Sequence, residues 1–189
     1  MFIGVLCCQN DPNLYFIDDH TIKCAAVDSL NQPNPTFQTV VSNLAEGAAI
    51  DIDVRNRMIY WSDTQAWTIN RMNLTSGEVK VIIKDNIGEV YSIAVEWESG
   101  LIYWTDLIFE RIEVAKLNGS SRRTLITKDV ESPMGIAVDP GNGLVDMACS
   151  LAKITLQDQK KYNSLSVSFE THVSARLLLH YASLMTKLD

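Results

Sequence analysis

From Leu14 to Leu144 the chain is a succession of short apolar or alternating runs, each closed by polar, turn-forming residues. The stretch from 90 to 127 shows this most clearly. It reads as four strands: Val90 to Trp97, Leu101 to Thr105, Arg111 to Leu117 and Arg123 to Thr127. Glu98-Ser99-Gly100 and Asn118-Gly119-Ser120 separate them as hairpin turns do. Leu101-Ile102-Tyr103-Trp104 loses polar alternation, which marks a strand covered on both faces. No 3.6-residue periodicity interrupts this region, so it predicts strands without helices.

The pattern repeats. Ile59-Tyr60-Trp61-Ser62-Asp63 returns as Ile102-Tyr103-Trp104-Thr105-Asp106, 43 residues later. Ile50, Ile93 and Ile136 keep the same spacing, as do Ile69 with Ile112 and Leu74 with Leu117. A degenerate earlier copy, Leu14-Tyr15-Phe16-Ile17-Asp18, lies 45 residues ahead of the second. Four short strands in roughly 40 residues is the size of one blade of a β-propeller.

The Tyr-Trp-Ser/Thr-Asp motifs resemble the YWTD repeats of low-density lipoprotein receptor-type propellers. The flanks agree: Ile93-Ala94-Val95-Glu96-Trp97 and Gly135-Ile136-Ala137-Val138-Asp139-Pro140 look like the strand before the motif. Arg111 to Gly119 looks like the strand and turn after it. In detail the chain most resembles the first propeller of the receptor-related Wnt co-receptors, through Val40-Val41-Ser42-Asn43-Leu44 and Glu46-Gly47-Ala48-Ala49-Ile50. The resemblance covers about residues 14 to 144. It implies an all-β fold, a partial propeller of about three of six four-stranded blades. Six such blades need roughly 260 residues, and the chain has 189.

The motif residues have structural work to do. Trp61 and Trp104 supply apolar area between blades, and Tyr60 and Tyr103 add bulk with one polar handle. Asp63 and Asp106 fall at strand ends, where a carboxylate accepts backbone N–H groups of the turn. The turns that follow, Thr64-Gln65-Ala66-Trp67 and Leu107-Ile108-Phe109-Glu110, are where the resemblance places partner contacts. Trp67, Phe109 and Glu110 are therefore the candidate partner-binding residues, aromatic side chains being enriched at interface hot spots. The alternative is that both aromatics pack on the next blade. Two sequons, Asn73-Leu74-Thr75 and Asn118-Gly119-Ser120, fall between predicted third and fourth strands and make Asn73 and Asn118 candidate N-glycosylation sites.

Composition narrows the function classes. At 47% hydrophobic and 21% charged, the chain is neither disordered nor low-complexity. Its net charge of −7 argues against nucleic acid as a partner. The acidity belongs to the repeat region, because residues 145–189 carry a net +1. No apolar run approaches the roughly 20 residues of a bilayer span. Cys7, Cys8, Cys24 and Cys149 form no CxxC or Cys/His pattern, and no metal or cofactor is expected. Asp18-Asp19-His20 is read as a strand end and turn. No GxSxG, HExxH, P-loop or GxGxxG occurs, so no catalytic residues are assigned and the chain is not expected to be an enzyme.

Three segments are expected: residues 1–13, an apolar leader or signal remnant; 14–144, the partial propeller; and 145–189, an unmatched tail. Within the tail, Val173, Leu177, Leu178, Tyr181, Leu184, Met185 and Leu188 follow an i, i+4, i+7/8 pattern that suggests an amphipathic helix near 173–188. The resemblance implies an extracellular or cell-surface module for a secreted or cell-surface protein ligand. The Wnt co-receptors carry paired arginines where this chain has Asp18-Asp19-His20, and acidic residues where it has Gln65-Ala66. Binding to Wnt antagonists is accordingly expected to be weak or absent. Two other readings stand beside this one: a fragment of a six-bladed, calcium-dependent lactonase-like hydrolase, and a truncated product without function. An incomplete ring exposes blade edges, so self-association is expected.

Overall fold

A computed structural model describes residues 13–127, 130–139, 144–149, 153–157 and 168–170, with side chains in 13–127 and 130–138. Sheet I contains β1 (Asn13–Asp18), β2 (Thr21–Ala26) and β3 (Gln38–Val41). Sheet II contains β4 (Gly47–Asp53), β5 (Met58–Asp63), β6 (Thr68–Asn73) and β7 (Val79–Ile83). Sheet III contains β8 (Ser92–Glu96), β9 (Leu101–Asp106), β10 (Arg111–Lys116) and β11 (Arg123–Ile126). Sheet IV contains β12 (Pro133–Asp139), β13 (Leu144–Cys149), β14 (Lys153–Gln157) and β15 (Ser168–Glu170). Each sheet is an antiparallel meander in chain order. Only a 3-10 turn, Val27–Asn31, breaks the all-β pattern among the described residues.

The first strands β4, β8 and β12 lie beside one another, and β1 lies against β4. The sheets thus fan out around these inner strands as the blades of a partial propeller. Sheet I lacks a strand equivalent to β4 among the described residues. Its β1 holds the motif position, since Asp18 pairs with Thr21 as Asp63 pairs with Thr68 and Asp106 with Arg111.

Alternation along the motif strands explains the packing between blades. Trp61 joins Tyr15, Ile17 and Ile22 of sheet I in one apolar core, while its neighbour Tyr60 joins Ile102 and Trp104 of sheet III in the next. Tyr103 faces on to Ile136 and Val138 of sheet IV. Each Trp therefore points to the preceding blade and each Tyr to the following one, because successive residues of a strand point to opposite faces. Trp104 and Ile102 are fully buried.

Polar links reinforce the seam between sheets II and III. The Ser62 hydroxyl donates to the Val90 carbonyl at 2.8 Å and accepts the Ala49 N–H at 2.9 Å. Asp51 accepts the Val95 N–H at 2.7 Å across the same seam. Arg55 stacks on Trp97 at 3.7 Å and pairs with Glu98. At the next seam Thr105 stands where Ser62 does, yet its buried hydroxyl has no partner among the described residues. Ser92 supplies that seam instead, accepting the Ile136 N–H at 3.0 Å.

The expected end of the propeller at Leu144 falls at the start of β13, which pairs with β12 from Asp139↔Leu144 to Pro133↔Cys149 and then with β14. Among the described residues three sheets are four-stranded and sheet I has three strands, in keeping with the partial propeller expected. The period of 43 persists, since Leu144–Cys149 stands 43 residues after Leu101–Asp106. The physical reason is that ladder hydrogen bonds come from the backbone. Losing Tyr and Trp removes inter-blade bulk without removing a strand's capacity to pair. The leader and the helix expected near 173–188 lie outside the described residues, apart from Asn13 in β1.

Candidate functional site

Meander topology decides which turns share a rim. The turns after the motif strands, 64–67 and 107–110, lie at the end where the first strands begin. Thr64 N–H donates to the Glu46 carbonyl at 2.8 Å, and Leu107 N–H to the Glu89 carbonyl at 2.9 Å. The turns 54–57 and 97–100 lie at the opposite end of the blades. We call the first the upper rim and the second the lower rim.

The motif aspartates build the upper rim. Asp63 Oδ1 accepts the Glu46 N–H at 3.0 Å and the Ala66 N–H at 2.9 Å, and its Oδ2 accepts the Ala45 N–H at 2.7 Å. Asp106 repeats the device with Phe109 N–H and Gly88 N–H, both at 3.1 Å, and adds Arg111 at 3.2 Å. Each carboxylate ties the turn to the segment that enters its own blade. Gly88 leaves no room for a side chain: a Cβ there would lie 2.5 Å from Ile108 Cβ. The expected role of these aspartates at strand ends thus has a geometry, and it extends to the linker as well as the turn.

On this scaffold stand exposed apolar side chains. Trp67 is 56% exposed, Ile108 54%, Phe109 47% and Met134 49%. Trp67 and Phe109 do not bury themselves on the next blade. Phe109 is backed by the Arg111 guanidinium, 4.5 Å from its ring centre. Trp67 and Glu110 occupy equivalent last positions of their turns, both left-handed, at φ 53° and 46°. A non-glycine residue there costs about 1 kcal/mol. Trp67 therefore carries backbone strain and stays more than half exposed, neither of which helps the fold.

The entry segments add acidic groups. Glu46 and Glu89 precede β4 and β8, and the Tyr91 hydroxyl donates to Glu89 at 3.1 Å. Desolvation first, then the Glu89 hydrogen bond and the charges of Glu89 and Glu46, hold the Tyr91 phenol above its ordinary range. Tyr91, just before β8, and Met134, at the start of β12, escape sequence reasoning because they reach this rim only through the meander. Ile108 was visible as part of the turn. By contrast Tyr60, Trp61, Asp63, Trp104 and Asp106 are buried and Tyr103 is half-buried, so the motif residues shape the rim from within.

At the degenerate first motif, Asp18 pairs with Lys23, and His20 Nδ1 lies 2.9 Å from the Ala45 carbonyl and 3.1 Å from that of Leu44. His20 thus serves the turn, in the position the sequence reading gave it. No helix among the described residues is long and apolar enough to cross a membrane.

Comparisons with known proteins agree with this architecture. Residues 100–140 match the family model of the low-density lipoprotein receptor repeat class B. No curated protein matches the chain by sequence. Among solved structures, a chain of the nidogen/laminin complex superposes with a TM-score of 0.71 at 23% identity, over 84% of this chain and 62% of that one. An auxiliary nutrient binding protein from Bacteroides thetaiotaomicron VPI-5482 gives 0.70 at 11% identity, over 92% and 43%. A second, from Bacteroides ovatus ATCC 8483, gives 0.68 at 14%, over 88% and 41%. The chain thus spans less than two thirds of each. At these identities the likeness is one of fold, and the fold is a β-propeller carrying a YWTD-type repeat.

Proposed function

We propose that the chain is a non-enzymatic, extracellular protein-binding module whose upper rim engages a secreted or cell-surface protein, in the manner of the receptor-related propellers it resembles. The observation that carries this reading is Trp67, strained at φ 53° and 56% exposed. Phe109, Ile108 and Met134 extend the apolar surface, and Glu46, Glu89 and Glu110 make its surroundings acidic. Such a rim favours a partner with an apolar anchor and basic flanks.

Within the Wnt co-receptor resemblance, the first motif region departs most. The Asp18–Lys23 pair and His20 leave no arginine pair there. The partner is therefore a protein other than the Wnt antagonists, for which weak or absent binding is expected.

The test is capture of secreted and cell-surface proteins by the purified chain and by a Trp67→Ala/Phe109→Ala variant. Loss of a hot-spot pair costs at least about 2 kcal/mol, roughly a 30-fold loss of affinity. A partner held equally by both proteins refutes this rim as the binding face.

A further inference from the structure

The lower rim carries a second functional feature. The two sequons sit in its corresponding β6–β7 and β10–β11 turns, one per blade, Asn73 just before Leu74 and Asn118 just after the equivalent Leu117. Asn73 ends β6 and Asn118 follows β10. Leu74 N–H bonds the Arg57 carbonyl at 2.8 Å and Leu117 N–H bonds the Gly100 carbonyl at 3.0 Å, which pins both sequons to the turns of the lower rim. Trp67 and Phe109 stand at the other end of the same blades.

Both asparagines are arranged alike. Asn73 Oδ1 accepts the Thr75 and Ser76 N–H groups at 2.8 and 2.9 Å. Asn118 Oδ1 accepts the Ser120 N–H at 3.0 Å and the Ser120 hydroxyl at 2.7 Å. The carboxamide oxygens are engaged, and neither amide nitrogen donates a hydrogen bond among the described residues. Asn118 is exposed, and Gly119 beside it takes φ 86° against the Ile82 carbonyl of sheet II. Asn73 lines a cleft of about 310 Å³ with Tyr60, Arg71, Lys80 and, from sheet III, Leu117. The two sequons therefore flank one seam, with Asn73 in the cleft and Asn118 next to Leu117.

We infer that Asn73 and Asn118 are both N-glycosylated and that their glycans cover the lower seam between sheets II and III, leaving the upper rim as the open face. This rests on the extracellular part of the proposed function. In the transfer, the Asn amide nitrogen bonds the anomeric carbon of a lipid-diphosphate-linked oligosaccharide. The bond from that carbon to the diphosphate oxygen breaks, the lipid diphosphate leaves with the electron pair, and one amide proton passes to the transferase's base. Cleft polarity suits a sugar, since Asn56, Glu78 and Lys80 line it with exposed polar groups.

The experiment expresses the full chain behind a supplied secretion signal in mammalian cells and treats it with an amidase that removes N-glycans. The whole-cell pool is assayed as well as the medium, because glycosylation precedes folding and marks even a retained chain. Wild type is expected to lose two mobility steps. Asn73→Gln, Thr75→Ala, Asn118→Gln and Ser120→Ala each lose one, and the double Asn variant shows none. Amine labelling of Lys80 is expected to rise when Asn73 is replaced. No steps in wild type, steps that survive the double substitution, or unchanged Lys80 labelling overturn the inference. The supplied signal enforces entry to the secretory pathway, so this outcome is read apart from partner capture. Glycans without Trp67-dependent capture would leave this inference standing and refute the proposed binding face.

Discussion

Asp51 is the sharpest point of leverage on the fold. It lies on β4, and its carboxylate accepts the Val95 N–H of sheet III and the Ile52 N–H, each at 2.7 Å. Desolvation at the seam outweighs these two backbone bonds and lifts its pKa from an ordinary 3.8 to about 6. The folded chain thus holds this proton more tightly than the unfolded chain does. The cost of the buried charge is small below pH 3.8, accumulates as pH rises from about 4 to 6, and is fully present above. From the two pKa values it is under about 1 kcal/mol at pH 4, about 2 at pH 5 and about 3 at pH 7.5. Asp51→Asn removes the charge and keeps one acceptor oxygen, losing a hydrogen bond worth about 1 kcal/mol. The variant is therefore expected to match or fall slightly below wild type at pH 4. At pH 7.5 it is expected to be more stable by about 2 kcal/mol, a rise in Tm of roughly 4–8 °C for a chain of this size. Thermal or urea unfolding of the full-length protein at four pH values between 4 and 8 measures the difference. A difference that stays flat with pH would refute the argument that a desolvated carboxylate spans the seam.

Other outcomes follow from the same geometry. Trp104→Ala empties the centre of the core between sheets II and III and is expected to cost about 3–5 kcal/mol, read as loss of a cooperative melt. Trp67→Gly relieves a left-handed Trp and is expected to gain up to about 1 kcal/mol while weakening partner capture, whereas a loss of stability would show that Trp67 serves the fold. Gly119→Ala places a Cβ 2.2 Å from the Ile82 carbonyl. Overpacking and the left-handed backbone together cost about 2–4 kcal/mol, seen as a lower urea midpoint with the sequon intact. Unpaired blade faces are expected to make the isolated chain associate, and gel filtration with a sharp, concentration-independent monomer melt would count against that.

Much of this was legible along the chain. The period of 43, the motif strands and the turns at 64–67 and 107–110 follow from apolar spacing and turn residues, and the structure places strands there. The roles of Trp61, Trp104, Asp63 and Asp106 were readable because their chemistry admits few positions in a both-faces-covered strand. The continuation of the sheet through Leu144–Cys149 was hidden, because reading a motif follows side chains while pairing follows the backbone.

The sequence by itself determined the local elements and their repetition, since strand alternation and hairpin turns depend on near neighbours. Only the tertiary structure decided what lies beside what. It set Trp toward the preceding blade and Tyr toward the following one, brought Asp51 to the Val95 amide 44 residues away, and gathered Trp67, Phe109, Met134 and Tyr91 on one rim. It also separated that rim from Asn73 and Asn118. Those facts depend on how the blades twist and stack around the inner strands. That arrangement is governed by burial and seam contacts between residues far apart in sequence, which a one-dimensional pattern does not encode.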